Sequence, residues 1–293
     1  MKVLVTGASG FSGGEIVAGL LNLGFEVTAL VTRSSFRISE LKLRHPNLRV
    51  HIGRINDSLE INDKLDAVVH VAARSAWPGV SVDSMILDNI LATRFLISQA
   101  KIWQIKKFIF FSSLSVHGVI STKVVDALTP IVTPHTYGLT KLLCEQMLAA
   151  ESKSFQTLAF RLPGILGPGS VRNWLSTSLA NAKKGKDIFV FDPNALFNNA
   201  VHVDDLNIFI SSTLKQEWSN NFDVFPLGAD GEMLTGDVAA LLAKAGGKNS
   251  SVKISADPKM SYSISSKYAK KTYGYCPMPV EELILKFIKE NSN

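Results

Sequence analysis

The chain reads as an α/β protein, a doubly wound parallel sheet flanked by helices, with a smaller, discontinuous C-terminal lobe. Three observations predict this. Short apolar runs alternate with helical stretches through the first half. The first run, Lys2-Val3-Leu4-Val5, leads into the glycine turn Thr6-Gly7-Ala8-Ser9-Gly10-Phe11-Ser12-Gly13 and then into helical Glu15-Ile16-Val17-Ala18-Gly19-Leu20-Leu21. Beyond Leu162 the character changes, because Pro163-Gly164-Ile165-Leu166-Gly167-Pro168-Gly169 is rich in turn formers and leaves the sheet.

Strands are expected at Lys2 to Thr6, Glu26 to Val31, Leu48 to Ile52, Ala67 to Val71, Lys107 to Ser112 and Thr157 to Arg161. A helix through Tyr137 continues over Leu142-Leu143-Cys144-Glu145-Gln146-Met147-Leu148, where apolar residues recur at helical spacing. The stretch Val201 to Asp205 returns the chain to the first domain, and Pro279 to Glu290 reads as a closing amphipathic helix. Residues 1–165 plus about 200–222 then form one domain, and about 166–199 plus 223–293 the lobe. No internal repeat or low-complexity segment interrupts this pattern.

Composition narrows the function classes. With 293 residues, 46% of them hydrophobic, the chain can bury a large core. Its two cysteines, Cys144 and Cys276, lie far apart, so no disulfide framework is expected and a reducing compartment is the default. The six histidines are scattered, and no metal site is expected. Met1 to Val5 reads as the first strand rather than a signal peptide, and no apolar run approaches the roughly 20 residues of a membrane span. A soluble, cytoplasmic protein is the expectation. The net charge of +6 suits anionic ligands. Lys183-Lys184-Gly185-Lys186 and Lys270-Lys271 are short runs without a continuous basic stripe, so nucleic-acid binding is not expected.

The chemistry points to a small molecule. A strand, a tight glycine turn and a helix N-terminus hold a pyrophosphate, because exposed N–H groups and the helix dipole converge there. Farther on, Tyr137-Gly138-Leu139-Thr140-Lys141 sets a phenol and an ammonium four residues apart, on one helix face. Each motif is common when alone. Between them, the apolar run Lys107-Phe108-Ile109-Phe110-Phe111 ends in hydroxyls, Ser112-Ser113-Leu114-Ser115-Val116-His117-Gly118.

Six signatures in this order resemble the extended short-chain dehydrogenase/reductase family of nucleotide-sugar epimerases, dehydratases and 4-ketoreductases. They are Thr6 to Gly13, Val68-Val69-His70-Val71-Ala72-Ala73, Ser112 to Gly118, Tyr137 with Lys141, Arg161-Leu162-Pro163, and Val201-His202-Val203-Asp204-Asp205-Leu206. The resemblance covers nearly the whole chain and implies a Rossmann fold and hydride transfer with a nicotinamide cofactor. It implies a phosphate turn built from Gly7, Ser9, Gly10, Phe11 and Gly13, with Ala72, Ala73, Asn89 and Pro163 also around the cofactor. Ser113 would hold the substrate oxygen, Tyr137 would move the proton, and Lys141 would bind the nicotinamide ribose. Ser115 and His117 stand as further substrate contacts; Ser115 has an equally available structural role, and for a lone histidine after a strand, such as His117, the structural role is the commoner one.

A free phenol titrates near pH 10. The Lys141 ammonium and an oxidised nicotinamide would both favour phenolate at Tyr137. After the second strand, Val31-Thr32-Arg33-Ser34-Ser35 contains no carboxylate. Arg33 can fork a 2′-phosphate and Ser34 or Ser35 can donate to it, so NADP(H) is preferred, with NAD(H) open. Gly53-Arg54-Ile55 lacks the acidic residue relatives place near adenine, and Asn56 or Asp57 stands in.

Dehydratases of the family carry an Asp-Glu pair where this chain has Leu114 and Ser115, which disfavours dehydration. The missing acidic residue after the second strand tilts the reading to a 4-ketoreductase over an NAD-linked 4-epimerase. Where relatives place a diphosphate-gripping arginine, this chain has Asn198-Asn199-Ala200, so Arg172 and Asn173 are the candidates for that contact. Without such a grip, the substrate is an aldehyde or ketone lacking a diphosphate; an NADP(H)-binding sensor is a separate alternative, which the presence of Tyr137, Lys141 and Ser113 argues against. Asp204-Asp205 is read as helix capping rather than metal binding. Relatives often form homodimers through the Tyr137 helix and the one before it.

Overall fold

Strand β2, Glu26–Val31, shows why the first half forms a sheet: five of its six side chains are buried, all but Thr28 of them apolar, as a strand covered on both faces requires. In the computed structural model, which describes residues 1–56, 59, 61, 64–247, 249–256 and 261–292, seven strands join. They include β1 (Lys2–Thr6), β2, β3 (Leu48–Ile52), β4 (Ala67–His70) and β5 (Lys107–Ser113). Outside this sheet, β6 (Val124–Val125) pairs with Ser263–Ile264, while β7 (Gln156–Leu162) and the strand Phe222–Pro226 complete the seven. The spatial order is Phe222–Pro226, β7, β5, β4, β1, β2, β3. β1 pairs in parallel with both β2 and β4, so the winding reverses there and opens a crevice at the carboxyl ends of those strands.

Helices α1 (Phe11–Asn22), α2 (Phe36–Arg44), α3 (Val82–Met85), α4 (Ala92–Ile102) and α5 (Thr136–Ala150) connect the strands. Leu96, Ala100, Cys144 and Leu148 meet Val68, Phe108 and Phe110 in one core cluster. Between α3 and α4, residues Ile86–Leu91 form a π-helical segment with Asn89 buried, a distortion frequent at functional sites.

The chain divides into two compact units, 1–118 with 131–161 and 206–225, and 119–130 with 162–205 and 226–293. Several segments differ from the sequence reading; residues 162–165 and 200–205, expected in the first domain, fall in the second unit. Residues 119–130, expected in the first domain, belong to the second unit through the β6 pairing. Phe222–Pro226, expected largely in the lobe, is an edge strand of the main sheet, with Phe222 and Val224 packed on its core.

The second unit has its own core, built from Leu175, Leu179, Val238, Leu242, Leu283 and Phe287 on three helices. The closing helix spans Val280–Glu290 and buries Val280, Leu283, Ile284 and Phe287, the 3-4 spacing of one apolar face. No helix among the described residues is long and apolar enough to cross a membrane.

Candidate active site

The glycine turn lies between β1 and α1. Gly7 holds φ +68°, and a Cβ on Gly13 would stand 2.2 Å from the Gly7 carbonyl oxygen. Helix and turn therefore touch backbone to backbone. Gly10 caps α1 with no side-chain hydrogen bond, leaving first-turn N–H groups for an anion. This cradle fits a dinucleotide pyrophosphate, and Ser9, Gly10 and Phe11 lie within it. The Ala72 amide donates to Thr6 Oγ1 at 3.2 Å, which sets Ala72 and Ala73 at the carboxyl end of β4 beside the turn.

At the end of β2, Arg33 and Ser34 are exposed. Ser35 is committed to α2, whose Ile38 amide donates to its hydroxyl at 3.4 Å, and Ser34 Oγ lies 3.4 Å from Ser39 Oγ. Arg37, which the sequence reading passed over, pairs with Glu15 at 2.5 Å and lies 3.1 Å from where a Gly14 Cβ would stand. It adds a second guanidinium beside α1. Asn56 donates to the Leu87 carbonyl at 3.3 Å, while its Oδ1 is buried without a partner. Asp57 lies outside the described residues.

Asn89 holds protein backbone. Its Oδ1 accepts from the Arg74 amide at 2.6 Å, and its Nδ2 donates to the Arg74 carbonyl and to Thr140 Oγ1, each at 3.0 Å. With donors and acceptor so committed, Asn89 ties the loop after β4 to α5 instead of presenting its amide to a cofactor. The neighbouring Ser75 is thereby carried to the reactive group.

That group is Tyr137. Its hydroxyl is hydrogen-bonded to Ser75 and Ser113. Ser113 ends β5 and caps the following turn, accepting from the Ser115 amide at 3.1 Å and donating to Ser115 Oγ at 3.2 Å. The approach of α5 depends on Gly138, where a Cβ would stand 2.1 Å from the Ser115 carbonyl oxygen. Burial pushes the Tyr137 hydroxyl above its ordinary value, against the pull of the two serines. In the protein without cofactor, desolvation thus outweighs the two hydrogen bonds that favour the phenolate. Lys141, also buried, is lowered to about 8 by desolvation, opposed by Cys144 and Glu145. His70 falls to about 3 through burial and the Lys141 charge, so it is a neutral link between Thr6 at 2.7 Å and Thr93 at 3.0 Å.

Several expected contacts lie elsewhere. His117 is fully buried with Nε2 3.4 Å from Arg161, as a structural role requires. Ser115 remains exposed beside Ser113. In the second unit, Asn173 is the N-cap of Trp174–Lys183, accepting from the Ser176 amide at 2.8 Å and donating to the Ile165 carbonyl at 3.4 Å. Its side chain serves the fold. Arg172 is exposed at φ +70°, and Pro163 directly follows β7. Asn198 is buried, donating to the Ala229 and Ile264 carbonyls and accepting from the Ile264 amide at 2.7 Å.

Asp204 and Asp205 occupy the first turn of Val203–Lys215. Asp205 accepts from the Met278 amide at 3.2 Å, and Asp204 pairs with Lys286 at 2.5 Å. His202, Asp204 and Glu290 have metal-like spacing, but the Lys286 ammonium supplies a cation between the two carboxylates. The cluster works as an ion-pair network.

A family model described as "NAD dependent epimerase/dehydratase family" matches residues 3–221. Among curated proteins, the UDP-glucose 4-epimerase of Bacillus subtilis is 28% identical over 159 residues, covering 50% of this chain and 47% of that protein. The 2-alkyl-3-oxoalkanoate reductase of Stenotrophomonas maltophilia is 32% identical over 185 residues, covering 58% and 52%. The chain spans about half the length of the curated relatives it matches. Among solved structures, the UDP-glucuronic acid 4-epimerase from Bacillus cereus in complex with NAD superposes with a TM-score of 0.84 at 22% identity, over 100% of this chain and 97% of that one. At that identity the likeness is one of fold.

Proposed function

The chain belongs to the NAD dependent epimerase/dehydratase family, and from that premise we propose an oxidoreductase that reduces a 4-keto nucleotide sugar with NADPH. The observation that carries this reading is the Tyr137 hydroxyl hydrogen-bonded to Ser113, with Lys141 buried one helical turn on. A bound nicotinamide dinucleotide supplies the hydride. The Gly7 to Gly13 turn holds its pyrophosphate, and Arg33 takes the 2′-phosphate. Ser113 orients the substrate oxygen and stabilises charge developing there. Tyr137, which burial keeps protonated, donates its proton to the oxygen as the carbonyl becomes an alkoxide.

Three observations support other readings. The UDP-glucose 4-epimerase named among the relatives favours an NAD-linked 4-epimerase, which would use Tyr137 in both directions. The committed amide of Asn198 and the oxoalkanoate reductase among the relatives favour a carbonyl compound without a diphosphate. In the nucleotide-sugar reading, Arg172 is the diphosphate contact.

The test is loss of the NADPH near-ultraviolet band when the protein meets a UDP-linked 4-keto-6-deoxy sugar. A stoichiometric loss with two hydrogens gained in the product is expected, faster than with NADH. Arg33→Ala should cut the NADPH preference about tenfold, about 1.4 kcal/mol for a lost charge-assisted contact. No band loss, with UDP-hexose epimerised by NAD instead, would replace this reading with the epimerase.

A cytoplasmic homodimer completes the proposal. Both cysteines are free thiols, as a reducing compartment keeps them. Leu139 and Leu143 are exposed on α5, as are Ile86, Leu87 and Leu91 on the π-helical segment, and α5 packs against that segment. Such an apolar face suits a twofold helix-bundle contact. Sedimentation at twice the chain mass is expected, with Leu143→Glu shifting it to the monomer; a monomeric native protein would count against it.

A further inference from the structure

Tyr137, Lys141 and Glu145 follow one another at four-residue intervals along α5, which sets them on one helix face. Lys141 and Glu145 are 2% and 1% exposed, and charges so buried need partners. Glu145 is fixed by three donors. Ser112 Oγ on β5 donates to Oε1 at 2.5 Å, Arg161 Nε on β7 donates to the same oxygen at 3.1 Å, and Arg161 Nη2 donates to Oε2 at 2.8 Å. His117, in the turn after β5, closes the far side of the guanidinium. One carboxylate thus ties α5 to β5, to β7 and to the turn that follows Ser113.

The surroundings of Lys141 offer little else. Its Nζ stands 4.3 Å from the centroid of the Phe110 ring on β5. Tyr137 and the Cys144 thiol share its helix, and His70, neutral and buried on β4, faces its charge. Among the groups acting on this ammonium, Glu145 is the carboxylate. The structure assigns to Glu145 the role of a positioning residue whose fixed carboxylate keeps the buried Lys141 ammonium charged beside Tyr137. The assignment rests on the reading of Tyr137 and Lys141 given above. Arg161 above all holds the carboxylate in place, and its charge acts on Lys141 across one helical turn.

The sign follows from the electrostatics. An opposite charge favours an ammonium, so removing Glu145 makes Lys141 release its proton at lower pH. Burial already lowers Lys141 to about 8, and loss of this partner lowers it further, so that a substantial share is neutral at pH 7.

The test follows the Lys141 13Cε resonance in lysine-labelled protein, assigned with Lys141→Met and titrated without substrate. Glu145→Gln is expected to lower the midpoint by at least one pH unit, a tenfold loss of proton affinity, and Glu145→Asp to restore most of it. Ser112→Ala removes a hydrogen bond and no charge; it should lower Tm and leave the midpoint unchanged. If Glu145→Gln does not fold, Arg161→Gln removes the guanidinium that offsets the carboxylate and should raise the midpoint. An unchanged midpoint in either folded variant overturns the assignment. A lowered midpoint with undiminished turnover supports it and separately overturns the reading that Lys141 charge serves the chemistry.

Discussion

Tyr137→Phe is expected to reduce turnover by about 10³-fold, within the range of roughly 10²–10⁴ that a positioned proton donor contributes, while dinucleotide affinity stays within about twofold by the same reasoning. The substitution keeps the ring and removes one oxygen. Ser75 and Ser113 lose their shared partner, and Ser113 keeps its bonds to Ser115, so the strand end stays ordered. Because burial pushes the Tyr137 hydroxyl up, the native protein holds the proton at neutral pH and has it ready for reduction. Carbonyl reduction should therefore persist through neutral pH, weaken as Lys141 loses its charge at about 8, and fail in alkali, where the phenol ionises. Carbinol oxidation needs the phenolate and should rise with pH over the same range. Turnover and NADPH fluorescence titration together decide the matter. Retained turnover removes Tyr137 from the mechanism, whereas lost turnover with lost cofactor binding makes its role structural.

The sheet was legible because parallel strands covered on both faces are continuous apolar runs. β1, β2 and β3 begin and end where the pattern placed them, and β4, β5 and β7 differ by a residue at one or both ends. The edge strand Phe222–Pro226 was missed because Phe222-Asp223-Val224-Phe225-Pro226 is short, contains an acid and ends in proline. Its place comes from pairing with β7, a long-range contact that local pattern does not encode. The π-helical segment is likewise silent in sequence, since Ile86-Leu87-Asp88-Asn89-Ile90-Leu91 has ordinary helical composition. Site chemistry divides along the same line. Tyr137 and Lys141 announce themselves by spacing within one helix. Ser75, Arg37 and Glu145 enter from other elements or from the next helical turn, and their roles depend on burial and partners. His117 kept two readings because a histidine following a strand looks the same whether it turns outward or inward. Arg161, a guanidinium in an otherwise apolar strand, was the signal that a polar partner waited inside.

Gly13→Val is expected to weaken dinucleotide binding by about 100-fold or more, about 2.7 kcal/mol, and to lower Tm by several degrees. The clash is with backbone. A Cβ at this position would lie 2.2 Å from the Gly7 oxygen, 2.6 Å from the Gly7 carbonyl carbon and 3.0 Å from Ala8 Cα, and no rotamer of any side chain relieves it. Gly7 cannot yield easily, because its own φ of +68° carries it against Ala72, where a Cβ would meet backbone at 2.8 Å. The start of α1 must then swing away from the turn. Overpacking costs about 1–3 kcal/mol in stability, and the same displacement moves the first-turn N–H groups that face the pyrophosphate. Gly14→Ala separates this effect from a general intolerance of side chains in α1. Its closest contact is Arg37 Cδ at 3.1 Å, part of a flexible side chain that can shift, so cofactor affinity should change little. Thermal unfolding and NADPH titration of the two variants give the contrast. Gly13→Val binding as tightly as the native protein would mean that the pyrophosphate is held away from the Gly7 to Gly13 turn, and that this turn's close packing serves the fold alone.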